Sequence, residues 1–180
     1  MPLLKRLARL IGLETPLTHI DAGNIAPAFK LRSLEGQEYE LRSILKSGPV
    51  VVAFFKISCP VCQFTMPYVQ RLADRYAGDG VTFVAISQDD ARETKGFNKE
   101  YGVKFPTLLD TQGYPVSNAY GLTSVPTIFL IAPDGKVLVS EMGFNKGDLE
   151  TIAGELAERR KLPPAPLFRP DESVPAQRPG

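Results

Sequence analysis

Tryptophan is absent from this chain of 180 residues, histidine occurs once (His19) and cysteine twice (Cys59 and Cys62). One imidazole and two thiols cannot by themselves fill a four-ligand N/S zinc site. An excess of one charge is missing too. The chain carries 21 Lys and Arg against 20 Asp and Glu, a net charge of +1, whereas nucleic-acid binders usually show a basic face and a high pI. No apolar run approaches the roughly 18 residues that a membrane-crossing helix requires. What is there is ordinary for a globular protein: 43% hydrophobic and 23% charged residues, on a length that suits one domain with a real core. The chemistry must come from very few residues.

Residues 1–21 read as an amphipathic helix and a linker. Leu3, Leu4, Leu7, Leu10 and Ile11 share one helical face, with Lys5, Arg6 and Arg9 off that stripe. A secretory signal needs an uninterrupted apolar run of about 7–15 residues, and here charges break it. The expectation is a helix packed on the domain or a partner, with a weak membrane-surface contact through residues 1–13 as the sharper alternative. A cytoplasmic placement follows as the default. At the other end, residues 163–180 carry prolines at 163, 164, 166, 170, 175 and 179, which close neither a helical ladder nor a central strand. They read as an extended, mobile tail, which leaves residues 22–162 as the folded body.

Within that body, Glu35-Gly36-Gln37 separates two short strand segments and reads as a hairpin turn. Val50–Phe55 is a continuous apolar run, β-branched and aromatic, which predicts a strand covered on both faces. A helix is expected over 59–78, a second buried strand over 81–86 and a polar helix over 90–101. A short strand at 107–109, a short helix at 115–120 and a hairpin across Pro133-Asp134-Gly135 follow. The last helix, 146–161, turns Leu149, Ile152, Ala153 and Leu156 inward. This order of elements describes an α/β layered domain.

Cys59-Pro60-Val61-Cys62 sits where the buried strand ends and a helix begins. A thiolate at a helix N-terminus meets unpaired N–H groups and the positive end of the dipole, which together stabilise an anion by up to ~2 kcal/mol. The first Cys can then attack a disulfide while the second, one turn inward, resolves the product. Pro60 suits the first helical turn, where its missing N–H costs nothing. As a mere staple the pair would close a four-residue loop that constrains little of the unfolded chain. As half a metal site it would need ligands from a second chain.

These residues make the chain resemble the thioredoxin superfamily, in its redoxin branch of TlpA-like thiol–disulfide oxidoreductases and peroxiredoxins. Besides the CxxC, Pro67 falls where such proteins kink the active-site helix, and Val125-Pro126-Thr127 is similar to their cis-proline loop. Ala26-Pro27-Ala28-Phe29 and Phe105-Pro106-Thr107-Leu108-Leu109-Asp110 resemble branch features over about residues 24–160. The resemblance implies a three-layer fold, a central mixed sheet flanked by helices, with an N-terminal hairpin and a central strand–helix insert. It implies Cys59 as nucleophile and Cys62 as resolving thiol of a redox-active disulfide. Val125 and a cis Pro126 would line the substrate site together with Pro60 and Val61. No bound cofactor or metal is implied; the partners are protein disulfides or a thioredoxin-like dithiol donor, and not nucleic acid.

Departures from the pattern frame the alternatives. Ala53 stands where thioredoxin holds a buried acid, which leaves the proton acceptor for Cys62 unassigned. Lys56, Asp89 and Asp90 are polar candidates near the site, with solvation and helix capping as their plainer roles. A thiol-dependent peroxidase is the first alternative. The peroxiredoxin threonine is replaced, however, and no Arg occurs between Glu93 and Glu158 to stabilise a bound peroxide. A metal- or Fe–S-binding thioredoxin fold is the second; its usual downstream His is missing, and His19 reads as a surface residue.

Overall fold

The computed structural model describes residues 18–163 and 165–180. The helix expected over residues 1–13, with its membrane-surface contact, lies outside them. Among the described residues, no helix is long and apolar enough to cross a membrane.

The described residues open with a hairpin of β1 (Lys30–Arg32) and β2 (Glu38–Glu40), then α1 (Leu41–Leu45) and β3 (Val50–Phe55). There follow α2 (Pro60–Tyr76), β4 (Thr82–Ser87), α3 (Ala91–Tyr101), β5 (Thr107–Leu109) and α4 (Pro115–Ala119). The second half holds β6 (Thr127–Ile131), β7 (Val137–Met142), β8 (Phe144–Asn145), α5 (Lys146–Arg159) and β9 (Gln177–Arg178). Five strands form the central sheet in the order β5-β4-β3-β6-β7. β3, β4 and β5 run parallel, and β6 and β7 are each antiparallel to the strand before them in the sheet.

Every residue of β3 is buried, which accounts for its unbroken apolar run. Val51, Ala53 and Phe55 face a core shared with Cys62, Met66, Phe97 and Ile152, under α2, α3 and α5. Val50, Val52 and Phe54 face the opposite core, with Phe29, Leu41, Val116 and Tyr120 from the N-terminal hairpin, α1 and α4. One sheet buried on both sides gives three layers. The loops that enter β3 and β4 cross backbone to backbone: a Cβ at Gly48, where φ is 148°, would lie 2.0 Å from the Gly80 carbonyl oxygen. That crossing lets both strands start level, with Val50 opposite Thr82.

Two features differ from the sequence reading. The body begins before residue 22, because the Ile20 N–H donates to Tyr120 O (3.2 Å) and Ser140 Oγ donates to Ile20 O (2.8 Å). His19 is accordingly half-buried, stacked on Phe129 with its Nε2 2.7 Å from Ser140 Oγ, and is no free surface residue.

Among its described residues the C-terminal segment has no helix, but it is packed on the body. Leu167 and Phe168 are buried, Phe168 lies 5.0 Å from the Tyr68 ring, and Arg71 holds Glu172 through two contacts of 2.8 and 2.7 Å. β9 pairs with β8. Prolines prevent a helical ladder but not the burial of apolar residues among them, so Leu167, Phe168 and Val174 find the groove beside α2.

Candidate active site

α2 is the element that sets the chemistry. Cys59 is its N-cap, in extended conformation, and Pro60 occupies the first helical position. The Cys62 N–H donates to Cys59 Sγ at 3.2 Å, so one of the unpaired donors of this helix end points at the sulfur. The loop in front is pinned from three sides. Ile57 N–H donates to Asp89 Oδ2 (2.7 Å), Gln63 Nε2 donates to Ile57 O (2.9 Å), and Cys59 N–H donates to Lys56 O (3.2 Å).

Both cysteines are free thiols in different surroundings. Cys59 is half-buried and Cys62 is fully buried. Burial pushes the Cys62 thiol well above its ordinary value, the Cys59 sulfur and the Asp89 carboxylate add to that, and the Lys56 backbone works the other way. Of the two sulfurs, Cys59 is the more exposed, and burial favours the protonated form of Cys62 beneath it.

The sheet brings a second segment to the same place. β3 and β6 lie side by side, and the residues before β6 reach the start of α2. There the Val125–Pro126 peptide bond is cis, and the Val125 carbonyl accepts the Cys59 thiol at 3.2 Å. Thr127 Oγ1 donates to Ser124 O (2.8 Å) and Gly143 N–H donates to Pro126 O (2.8 Å), which fix the loop. Cys59, Cys62, Val125 and Pro126 thus converge. Pro60 lies exposed at the rim, and Val61 is half-buried against the core.

Other polar candidates take different places. The Lys56 ammonium lies 5.6 Å from the centre of the Tyr114 ring, a cation–π contact. Asp90 caps α3, accepting from the N–H groups of Arg92 (2.8 Å) and Glu93 (2.9 Å). Asp89 is the acid that bears on the site, through Ile57. Among the described residues, no group of three or more His, Cys, Asp and Glu side chains could hold a metal ion.

Sequence reasoning missed Glu141. Ala53 pairs with Ile128 and Ile128 with Glu141, so the acid points to the same sheet face as Ala53, two strands away. The signal was the alternation of β7, in which Val139 and Glu141, two residues apart, are buried between more exposed neighbours. Burial, followed by the neighbouring Asp148 carboxyl, pushes Glu141 up to about 8. The folded chain holds this proton more tightly than the unfolded chain, whose carboxyl titrates near 4.5. Its contribution is complete below that value and is lost as pH rises toward 8. Between pH 5 and pH 8 the thermal midpoint should fall by ~7–14 °C more than in Glu141→Gln, from about 3–4 kcal/mol of linkage. Parallel pH profiles in a calorimeter would exclude the effect.

Comparison with known proteins agrees with this geometry. Residues 22–140 match the AhpC/TSA family. The thiol-disulfide oxidoreductase ResA of Bacillus thuringiensis (strain Al Hakam) is 37% identical over 122 residues, which are 67% of this chain and 69% of that protein. The structure of MTB dsbF, in its mixed oxidised and reduced forms, is 28% identical and superimposes with a TM-score of 0.62, over 72% of this chain and 93% of that one. Peroxidoxin BcpB of Mycobacterium tuberculosis shares the fold as well, at 27% identity and a TM-score of 0.63, over 81% of this chain and 99% of that one. The α2 N-terminus with its paired thiols, the three-layer sheet and these matches lead to one conclusion: the chain belongs to the AhpC/TSA family, in the redoxin branch of the thioredoxin superfamily, and is a thiol–disulfide oxidoreductase.

Proposed function

We propose that Cys59 is the nucleophile and Cys62 the resolving thiol of exchange with protein disulfides. The observation that carries this reading is the position of Cys59 Sγ, 3.2 Å from both the Cys62 N–H and the Val125 carbonyl. The Cys59 thiolate attacks one sulfur of the partner's disulfide, and the other sulfur leaves as a thiolate and takes up a proton. Cys62 then gives up its proton and attacks the Cys59 sulfur of the mixed disulfide. The partner's second sulfur leaves as a thiolate that takes up this proton, and the Cys59–Cys62 disulfide is formed. Two electrons and two protons from a dithiol donor, such as a thioredoxin-like protein, restore the pair; no bound organic cofactor enters the scheme.

Val125 and Pro126 orient the incoming backbone in this scheme, and Pro60 and Val61 form the near wall. A peroxidase would place its attacking sulfur near Cys62, yet that sulfur is fully buried and held protonated, which disfavours the alternative. With dithiothreitol as donor, the protein is expected to accelerate insulin precipitation while hydrogen-peroxide consumption stays at the rate of the dithiol alone. Peroxide consumption that rises with protein concentration, without insulin reduction, would reverse the assignment. The cytoplasmic placement rests on the sequence reading alone; fractionation of expressing cells tests it.

A further inference from the structure

The last residues of the chain run close to the loop that faces Cys59. β9 pairs antiparallel with β8, Phe144 opposite Arg178 and Asn145 opposite Gln177, and the Lys146 N–H donates to Ala176 O at 2.9 Å. The chain then runs past Gly143, where an added Cβ would lie 2.4 Å from Arg178 O and 2.9 Å from the Gly180 nitrogen. Gly143 is the residue whose N–H holds the Pro126 carbonyl. A Cβ at Gly180 would lie 2.7 Å from the Val125 carbonyl oxygen and 3.2 Å from Ser124 Oγ. That carbonyl is the one that accepts the Cys59 thiol. Finally, the Arg178 guanidinium stacks 3.9 Å above the Phe64 ring, two residues beyond Cys62 on α2.

We propose that residues 176–180 are an intramolecular strap over the peptide-docking edge at Val125, which a protein substrate must displace before its disulfide reaches Cys59. The inference rests on the oxidoreductase reading of the site and adds a gate to it. The segment is built in two parts. Residues 167–174 are anchored, through buried Leu167 and Phe168 and through the Arg71–Glu172 pair. Residues 176–180 are all exposed, and among the described residues their attachments are a two-residue pairing, one further backbone bond and one cation–π contact, besides the close backbone approaches at Gly143 and Val125. A segment held by so few contacts can lift while its root stays docked. An extended peptide added beside β8 reuses the same backbone groups, as edge-strand recognition does elsewhere. A small disulfide reaches a half-buried sulfur without needing that edge.

The test compares the full chain, a chain ending at Pro175, and Arg178→Ala in the full chain, each with a protein disulfide (insulin) and with hydroxyethyl disulfide. Opening the strap raises the competent fraction, so the KM for insulin should fall about five- to tenfold in the shortened chain and by less in Arg178→Ala. Turnover of hydroxyethyl disulfide and the thiol–disulfide redox potential should be unchanged. A synthetic peptide of residues 173–180 added to the shortened chain should bring the insulin KM back up. An insulin KM that is unchanged or raised in both variants overturns the strap. If the shortened chain lacks a cooperative thermal transition, Arg178→Ala alone decides by the same two KM values. Failure of the full chain to turn over either disulfide would instead overturn the oxidoreductase reading.

Discussion

Cys59→Ser is expected to lower insulin-disulfide turnover by about 10³-fold or more, the scale of losing a nucleophile. The serine hydroxyl would still meet the Cys62 N–H and the Val125 carbonyl, the two groups now 3.2 Å from the sulfur, so the fold around the site is retained. What is lost is the anion, because a hydroxyl does not ionise at neutral pH and cannot share a bond with a partner's sulfur. Cys62→Ser has a different outcome. Attack by Cys59 proceeds, resolution does not, and the mixed disulfide accumulates as a species heavier by the partner's mass on a non-reducing gel. The asymmetry follows from position: Cys59 caps α2 and is half-buried, while Cys62 sits fully buried beneath it. Normal turnover by Cys59→Ser, or trapping by it and not by Cys62→Ser, would reverse the two roles.

Asp110→Ala is expected to cost about 3–5 kcal/mol of stability, the sum of several buried donors left unpaired. The Asp110 carboxylate is 1% exposed and accepts from Val116 N–H (3.0 Å), Ser117 N–H (2.7 Å) and Ser117 Oγ (2.7 Å). Its own N–H donates to Ser87 O at the end of β4 (2.8 Å). One residue therefore joins the end of β5 to the first turn of α4, and α4 leads through Tyr120 to the Val125 loop. Alanine leaves two backbone N–H groups and a hydroxyl without an acceptor in a site closed to water. Asparagine keeps the shape and one acceptor oxygen and should cost roughly half as much. Urea unfolding reads the effect as a lower midpoint at unchanged slope. A loss below about 1 kcal/mol in the alanine variant would show that water or a shifted chain satisfies those donors.

Several elements were legible because their causes are local. Gly48-Pro49 before six apolar residues gives β3, and Asp90 before a polar run gives the cap of α3. Pro133-Asp134-Gly135 turns β6 into β7, with Lys136 N–H donating to Asp134 Oδ1 at 3.0 Å. The inward residues of α5, Leu149, Ile152, Ala153 and Leu156, follow helical spacing and are buried. The C-terminal segment escaped because its partners are distant in sequence. Its prolines announce irregular backbone, and nothing nearby shows that Phe168 will meet Tyr68 and Phe144. His19 is the same case, since its partners Phe129 and Ser140 lie more than a hundred residues on.

From the amino-acid order alone came the layered α/β fold, a CxxC at a strand-to-helix junction and the identity of the two sulfurs. Periodicity, capping and turn chemistry are written within a few residues of where they act. Tertiary structure decided what depends on long-range closure. It gave one cysteine access and sealed the other, set the Val125 carbonyl against Cys59, buried Glu141 on the sheet face of Ala53, and laid residues 176–180 across the same edge. Those outcomes arise when β6 docks on β3 and the last segment docks on α2, and no local pattern encodes the distance between groups that only the packed core brings together.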